Sequence, residues 1–236
     1  MEAKKRNFQN VAGLAQQSAF ADVSGLMSGK SMATSEDIQG YIDCMEEIKQ
    51  RWEINKEFVQ KRRGTGNRIT DAEFICLQFR KILELIALAS LCAHREKYEK
   101  VRSSFRTDWN ADRIFKIVEK INPEFYPEPC VETIDPMKKK IVKVDTKKAG
   151  FLTREEFKIV LNRTSEFLHA ANPYSFKPAD LDALWESFTE WHGKIFELLR
   201  IHIVHLLDEK RQYWVQMSVV EQGGKVVLHE MERVDP

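Results

Sequence analysis

The chain lacks an excess of charge of either sign. Its 37 basic and 36 acidic residues nearly cancel, leaving +1 over 236 residues. A broad electrostatic footprint for nucleic acid is therefore excluded, and any such surface has to be local. Cysteine is scarce: Cys44, Cys76, Cys92 and Cys130 stand far apart, with no C-x-x-C pair. That pattern argues against zinc ligation and fits reduced thiols in a cytoplasm. Cys76 and Cys92 fall in an apolar stretch, where cysteine behaves as a small hydrophobe. Long apolar runs are missing too. The most apolar one, Leu85 to Ala93, is far below the ~20 residues that cross a bilayer, so no membrane partner is expected. The opening MEAKKRNFQN is polar and no apolar core follows it, so no signal peptide is expected. Nothing repeats along the chain.

What is there is a series of amphipathic helical patterns. Residues 1–34 carry scattered apolar side chains broken by Gly13, Gly25 and Gly29, and read as flexible or weakly helical. Residues 35–207 read as one helical bundle. The first helix runs from Ser35 to about Arg62, with Tyr41, Met45, Ile48 and Trp52 on its apolar face. The loop Lys61-Arg62-Arg63-Gly64-Thr65-Gly66-Asn67-Arg68 follows. It lacks a Gly-Lys-Ser/Thr and is no P-loop. Arg62, Arg63 and Arg68 offer a surface for RNA phosphates, or an ordinary solvated turn. A second helix from Thr70-Asp71 to about Lys100 is apolar around most of its circumference and belongs in the middle of the bundle. Within it Arg80 and Glu84 have ion-pair spacing, and would either support the candidate site below or sit at the bundle's rim. His94 reads as a surface residue. A shorter helix spans Trp109 to Ile121 and stops at Asn122-Pro123.

Residues 131–146 alternate around Asp135-Pro136 and suggest a β-hairpin or a loop. Lys138, Lys139 and Lys140 at its tip could reach RNA, or guard a strand edge against aggregation. A helix from Asp180 to about Leu207 follows, with His192, His202 and His205 on its apolar face. Arg200 and His205 form a weaker Arg-x4-His pair that reads as packing. From 208 to 236 the pattern changes to alternation around Gly223-Gly224, the mark of a C-terminal β-hairpin appendage. The expected fold is mainly α: an antiparallel helical bundle with a small β-hairpin at the C-terminus, and either a second hairpin or a loop near 131–146.

The stretch 153–175, TREEFKIVLNRTSEFLHAANPYS, stands out. Thr153 suits an N-cap, Glu155 and Glu156 suit the first turn, and Asn172-Pro173 ends the helix. Phe157, Val160, Leu161, Thr164, Phe167 and Leu168 share a core side at about 100° per residue. Asn162, Ser165, Glu166 and His169 lie opposite, with Arg163 on their flank. An imidazole moves protons near neutral pH, and a guanidinium holds phosphate oxygens through paired hydrogen bonds. On one regular helix the two side chains are turned roughly 120° apart and raised about 9 Å. They therefore need a distorted last turn, or a second copy across a two-fold axis, to act on one phosphate. The same spacing also suits a solvated His and Arg on an exposed face.

Leu152-Thr153 with Asn162-Arg163-Thr164-Ser165-Glu166-Phe167-Leu168-His169-Ala170 and Asn172-Pro173-Tyr174 resembles the signature helix of the HEPN superfamily (higher eukaryotes and prokaryotes nucleotide-binding). Its mark is Arg, four to six residues, then His. Thr164 departs from the Asn, Asp or His that often follows the Arg. Arg80 to Leu91, with His94 after it, resembles an earlier core helix of such proteins, so the resemblance covers roughly residues 36–207. It implies a four- or five-helix bundle, a homodimer, and often a ribonuclease of host defence or a toxin–antitoxin pair, with an antitoxin or defence-system partner. Many members have lost catalysis.

Two functions follow. In the first, a metal-independent endoribonuclease, His169 handles the proton and Arg163 the charge on the phosphate, with Asn162, Ser165 and Glu166 in support and no cofactor. In the second, a catalytically silent RNA- or protein-binding module, the polar stripe is a dimer seam.

Overall fold

The computed structural model describes residues 35–137, 140–170, 180–207 and 211–232. The expectations for residues 1–34 lie outside the described residues. Among the described residues six α-helices and five strands make a mainly α-helical bundle with a multi-stranded antiparallel sheet: α1 (Ser35–Val59), α2 (Arg68–Ala93), α3 (Arg95–Val101), α4 (Ala111–Ile121), β1 (Glu128–Asp135), β2 (Lys140–Thr146), α5 (Arg154–Leu168), α6 (Leu181–Leu199), β3 (Ile201–His205), β4 (Arg211–Val219) and β5 (Lys225–Glu232).

Helices α1 and α2 run antiparallel. Phe58 stacks on Phe74 at 4.1 Å near the connecting loop, and at the far end Gly40 lies so near Cys92 that an added Cβ would sit 3.2 Å from its sulfur. α2 is the central helix, with Ile75, Phe79, Ile82, Leu83 and Ile86 all buried. α6 crosses both: His192 and Phe196 stack on Trp52 of α1, and Phe188 and Trp191 meet Phe79 of α2. α5 packs along α2 and meets α4 through Phe115 and Phe157, 4.5 Å apart. Such aromatic contacts add to area burial by setting relative orientation.

The second helix is shorter than its apolar pattern suggests. Asn67 caps it, accepting the Ile69 and Thr70 amides, while Asp71 turns back to accept the Thr65 amide at 2.5 Å. The helix stops at His94, which is 3% exposed and so corrects the surface reading. His94 Nδ1–H donates to the Ser90 carbonyl at 2.8 Å, and Nε2 accepts the Asn122 amide at 2.8 Å. The same Asn122 nitrogen donates to the His205 carbonyl at 2.8 Å. One imidazole thus ties the ends of α2, α4 and β3, because a buried ring nitrogen must find a partner.

The largest departure is at 200–207. The sixth helix ends at Leu199, and Ile201–His205 is a strand at the centre of a five-stranded antiparallel sheet, order β2-β1-β3-β4-β5. The β1–β2 hairpin and the glycine-turned β4–β5 hairpin are both present, with Gly223 and Gly224 at φ 69° and 76°. β3 joins them, so one five-stranded sheet replaces the separate C-terminal hairpin expected, and 131–146 takes the hairpin alternative. A strand buried on both faces shows no polar alternation and reads like helix. His202 and Val204 face the main core, while Ile203 joins Cys130, Val144 and Trp214 in a second cluster. α1 docks on the sheet through Tyr41, whose hydroxyl donates to His202 Nε2 at 2.7 Å, and through Glu46, which accepts the Val226 amide at 2.6 Å.

Asn55 on α1 is fully buried, and among the described residues neither its amide nitrogen nor its oxygen has a hydrogen-bond partner. Leaving such a group unpaired costs about 1–3 kcal/mol, and an apolar group of similar shape avoids that cost. Asn55→Leu is expected to raise the urea midpoint of unfolding. A lowered midpoint would mean that solvent or neighbouring groups satisfy the amide.

Candidate functional site

The capping box of α5 is complete. Thr153 Oγ1 accepts the Glu156 amide at 3.2 Å, and Glu156 Oε2 accepts the Thr153 amide at 2.9 Å. The Leu152 amide donates to the Lys194 carbonyl at 2.9 Å, and Lys194 pairs with Glu156 at 2.5 Å. The start of α5 is therefore fixed to α6. Loss of an N-cap hydroxyl typically costs about 1 kcal/mol. Thr153→Ala should lower stability by that amount in urea unfolding; no change would mean Glu156 and Lys194 hold the turn without it.

Phe157, Val160 and Thr164 form the buried side of α5, as the periodicity predicts. Arg163 is exposed. Its Nη1–H donates to Ser187 Oγ at 3.2 Å, and its guanidinium lies 5.1 Å from the centre of the Trp191 ring. Ser187 in turn donates to the Ala183 carbonyl at 2.8 Å. Two consecutive turns of one face of α6 thus hold the cation on its flank. The charge reaches inward as well: burial pushes the Cys76 thiol up to about 12, against the opposing pull of Arg163.

His169 is also exposed, but it is not in the last turn. α5 ends at Leu168, and His169 is its C-cap with extended backbone, φ −81° and ψ 140°. Asn172-Pro173, the expected stop, lies outside the described residues. An extended backbone releases the imidazole from the helical angular progression, which is the kind of distorted ending the Arg-x5-His spacing needs. Among the described residues no side chain hydrogen-bonds the His169 ring, and Arg163 points to α6 rather than to it.

The supporting residues divide. Asn162 and Glu166 are exposed beside the pair. Ser165 is half-buried and its hydroxyl donates to the Leu161 carbonyl at 2.6 Å, so its proton serves its own helix. Thr164 does the same toward Val160, at 2.8 Å, and is fully buried. It faces the core, away from any substrate. Arg80 and Glu84 pair at 3.1 Å, and Lys81 adds a 3.0 Å contact to Glu84. These partly exposed groups make no hydrogen bond to α5 among the described residues and mark the bundle's rim.

The basic loop lies elsewhere. Lys61 and Arg68 sit 5.5 and 5.9 Å from the centre of the Trp185 ring. Trp185 and Ser187 are neighbours in sequence but about 200° apart around a helix. Arg62, Arg63 and Arg68 therefore occupy the flank of α6 opposite to Arg163. Lys138 and Lys139 lie outside the described residues, and only the backbone of Lys140 is described, paired with Asp135. His205 is engaged by Glu128 at 2.7 Å in the sheet, and Arg200 lies over Phe196. The second Arg–His pair is packing. Ser187, Trp185 and Trp191, which position the cations, carry no mark in the sequence beyond the apolar face of α6.

All four cysteines are free thiols. Among the described residues no group of three or more His, Cys, Asp or Glu is placed to hold a metal ion, and no helix is long and apolar enough to cross a membrane. The molecule is a mainly α-helical bundle with an antiparallel sheet, with Arg163 exposed on α5 and His169 exposed at that helix's C-cap. No protein-family model, curated protein or solved structure matches the chain.

Proposed function

We propose that this chain is a metal-independent endoribonuclease of HEPN type, built on an HEPN-like antiparallel bundle and working as a homodimer. The observation that carries the reading is the placement of Arg163: an exposed guanidinium, steadied by Ser187 and the Trp191 face, six residues before an exposed His169 that has left the helix. A steadied cation with N–H groups still facing solvent suits the charge that grows on phosphate oxygens in a transition state. In the reaction the RNA 2′-oxygen attacks the adjacent phosphorus and gives its proton to one His169. The bond to the 5′-oxygen breaks, and that oxygen takes a proton from the second subunit's imidazole or from water. The products are a 2′,3′-cyclic phosphate and a 5′-hydroxyl. Such an activity belongs with phage defence or a toxin–antitoxin pair, in which a partner protein restrains it.

The test is incubation of the purified chain with total RNA in EDTA, with His169→Ala alongside. Cleavage by the unmodified chain alone, leaving cyclic-phosphate ends, is expected. Equal cleavage by both proteins would overturn the assignment.

One observation favours a second reading, a catalytically silent binding module. Arg163 is engaged by α6 and makes no contact with His169. On that reading substitutions along the stripe change oligomeric state in sedimentation and leave no cleavage to lose.

A further inference from the structure

The loop between α1 and α2 is a shaped element. Lys61 adopts φ +57°, Gly66 φ +87°, and the chain wraps Asp71 so tightly that a Cβ on Gly64 would meet its carboxylate at 2.8 Å. The Thr65 amide donates to that carboxylate. The result is a pocket of about 450 Å³ whose lining includes Lys61, Arg62, Arg63, Arg68, Asp71 and Trp185. Four cations face one carboxylate there. Arg62 is balanced by Glu57 at 3.0 Å and Arg68 by Asp182. Among the described residues no carboxylate pairs with Lys61 or Arg63, and both are exposed. Lys61 and Arg68 lie over the Trp185 ring at 5.5 and 5.9 Å from its centre, the indole packs edge-on against Phe188 at 5.4 Å, and among the described residues its Nε1 is buried without a partner.

A fixed aromatic ring beside unbalanced cations is the chemistry that takes single-stranded nucleic acid, the base against the ring and the phosphate on the cations. A pocket of this size is in the range that receives one small ligand unit. We propose that this pocket is an RNA-holding exosite, taking one nucleotide of a single strand with its phosphate on Lys61 and Arg63 and its base against Trp185. It lies on the flank of α6 opposite to Arg163, so it holds the substrate at a point separate from the bond being cut. The inference rests on the part of that reading in which the chain engages RNA, and is independent of cleavage.

The test uses the full chain carrying His169→Ala, so that the probe survives, and a fluorophore-labelled single-stranded oligoribonucleotide followed by anisotropy at low salt in EDTA. Adding Lys61→Glu with Arg63→Glu is expected to weaken binding about tenfold or more. It should also reduce the slope of log affinity against log salt by about 1 to 2, as lost phosphate contacts do. Lys97→Glu with Lys100→Glu makes the same change of net charge on exposed positions of α3 and is expected to leave affinity within about threefold, the residue of long-range attraction. Equal losses from both pairs, no loss from the first, or no binding by the parent would overturn the exosite. So would displacement of the oligomer by a nucleoside monophosphate of equal affinity at matched ionic strength, which would make the site one for free nucleotide. If the oligomer binds through the pocket but unmodified protein leaves RNA intact, the nuclease reading fails and the exosite stands. If RNA is cut and the first pair binds normally, the exosite fails and the nuclease reading stands.

Discussion

His169→Ala and Arg163→Ala should each lower RNA cleavage by about two orders of magnitude or more while the helical fold persists. Removing a positioned proton-transfer group costs ~10²–10⁴-fold, and removing a donor aimed at developing charge costs ~10²–10³-fold. The fold should survive for reasons visible in the surroundings. His169 is exposed at a helix end with extended backbone, and substitutions at such positions stay within about 0.5 kcal/mol. Arg163 contributes a surface contact to Trp191 and a hydrogen bond to Ser187, and an exposed cation–ring contact is worth about 0.5–1 kcal/mol. Arg163→Lys separates charge from shape. It retains the cation and loses the planar fork that grips two phosphate oxygens, so it should recover only part of the rate. Far-ultraviolet circular dichroism and sedimentation of each variant guard against loss of fold or assembly. Full activity in a folded Arg163→Ala protein would remove this residue from the mechanism.

The second large effect is acid destabilisation through His202. Its ring is fully buried, with Nδ1–H donating to the Leu199 carbonyl at 2.8 Å and Nε2 accepting the Tyr41 hydroxyl. Burial pushes its pKa down from 6.5 to about 4, only partly offset by the bond to Leu199. Above pH 6.5 both folded and unfolded chains carry a neutral ring, and stability is complete. Below 6.5 the unfolded chain takes up a proton that the folded chain refuses, so stability falls as pH drops and levels off below about 4. From neutral pH to pH 5 this amounts to about 2 kcal/mol. Burial also lowers the pKa of His94, His192 and His229, which steepens the same limb. The carboxylates of Asp108 and Glu156, held low by their basic partners, lose their contribution only at more acidic pH. Urea unfolding from pH 7 to 5 should show the decline, and His202→Gln should flatten it. An unchanged slope in that variant would mean the ring is protonated in the folded state through a route the Tyr41 contact does not block.

Much of the local structure was legible because its causes lie within a few residues. The capping box at Thr153 and Glu156, the buried side of α5, the stop at Asn122 and the glycine turn at 223–224 each depend on neighbours in the chain. The candidate pair was legible as residue types at a spacing, and so was the exposure of both members. Where the helix ends was not. Leu168 and His169 differ little in pattern from the turn before them, yet the backbone leaves the helix between them.

The chain by itself determined most of the helical segments, which of their faces are apolar, and that Arg163 and His169 would be exposed. Tertiary structure alone decided the rest. It made Ile201–His205 a central strand, since β1 and β4 supply the hydrogen bonds that a helix would have satisfied internally. It drew His94 inside, because Asn122, distant in sequence, offered the donor its ring needs. It placed Arg163 on Ser187 and Trp191, and the Lys61–Arg68 loop on Trp185, on opposite flanks of the same helix. Periodicity and capping are local consequences of backbone geometry. The partner that a buried ring or a surface cation finds depends on which distant segments the fold brings beside it.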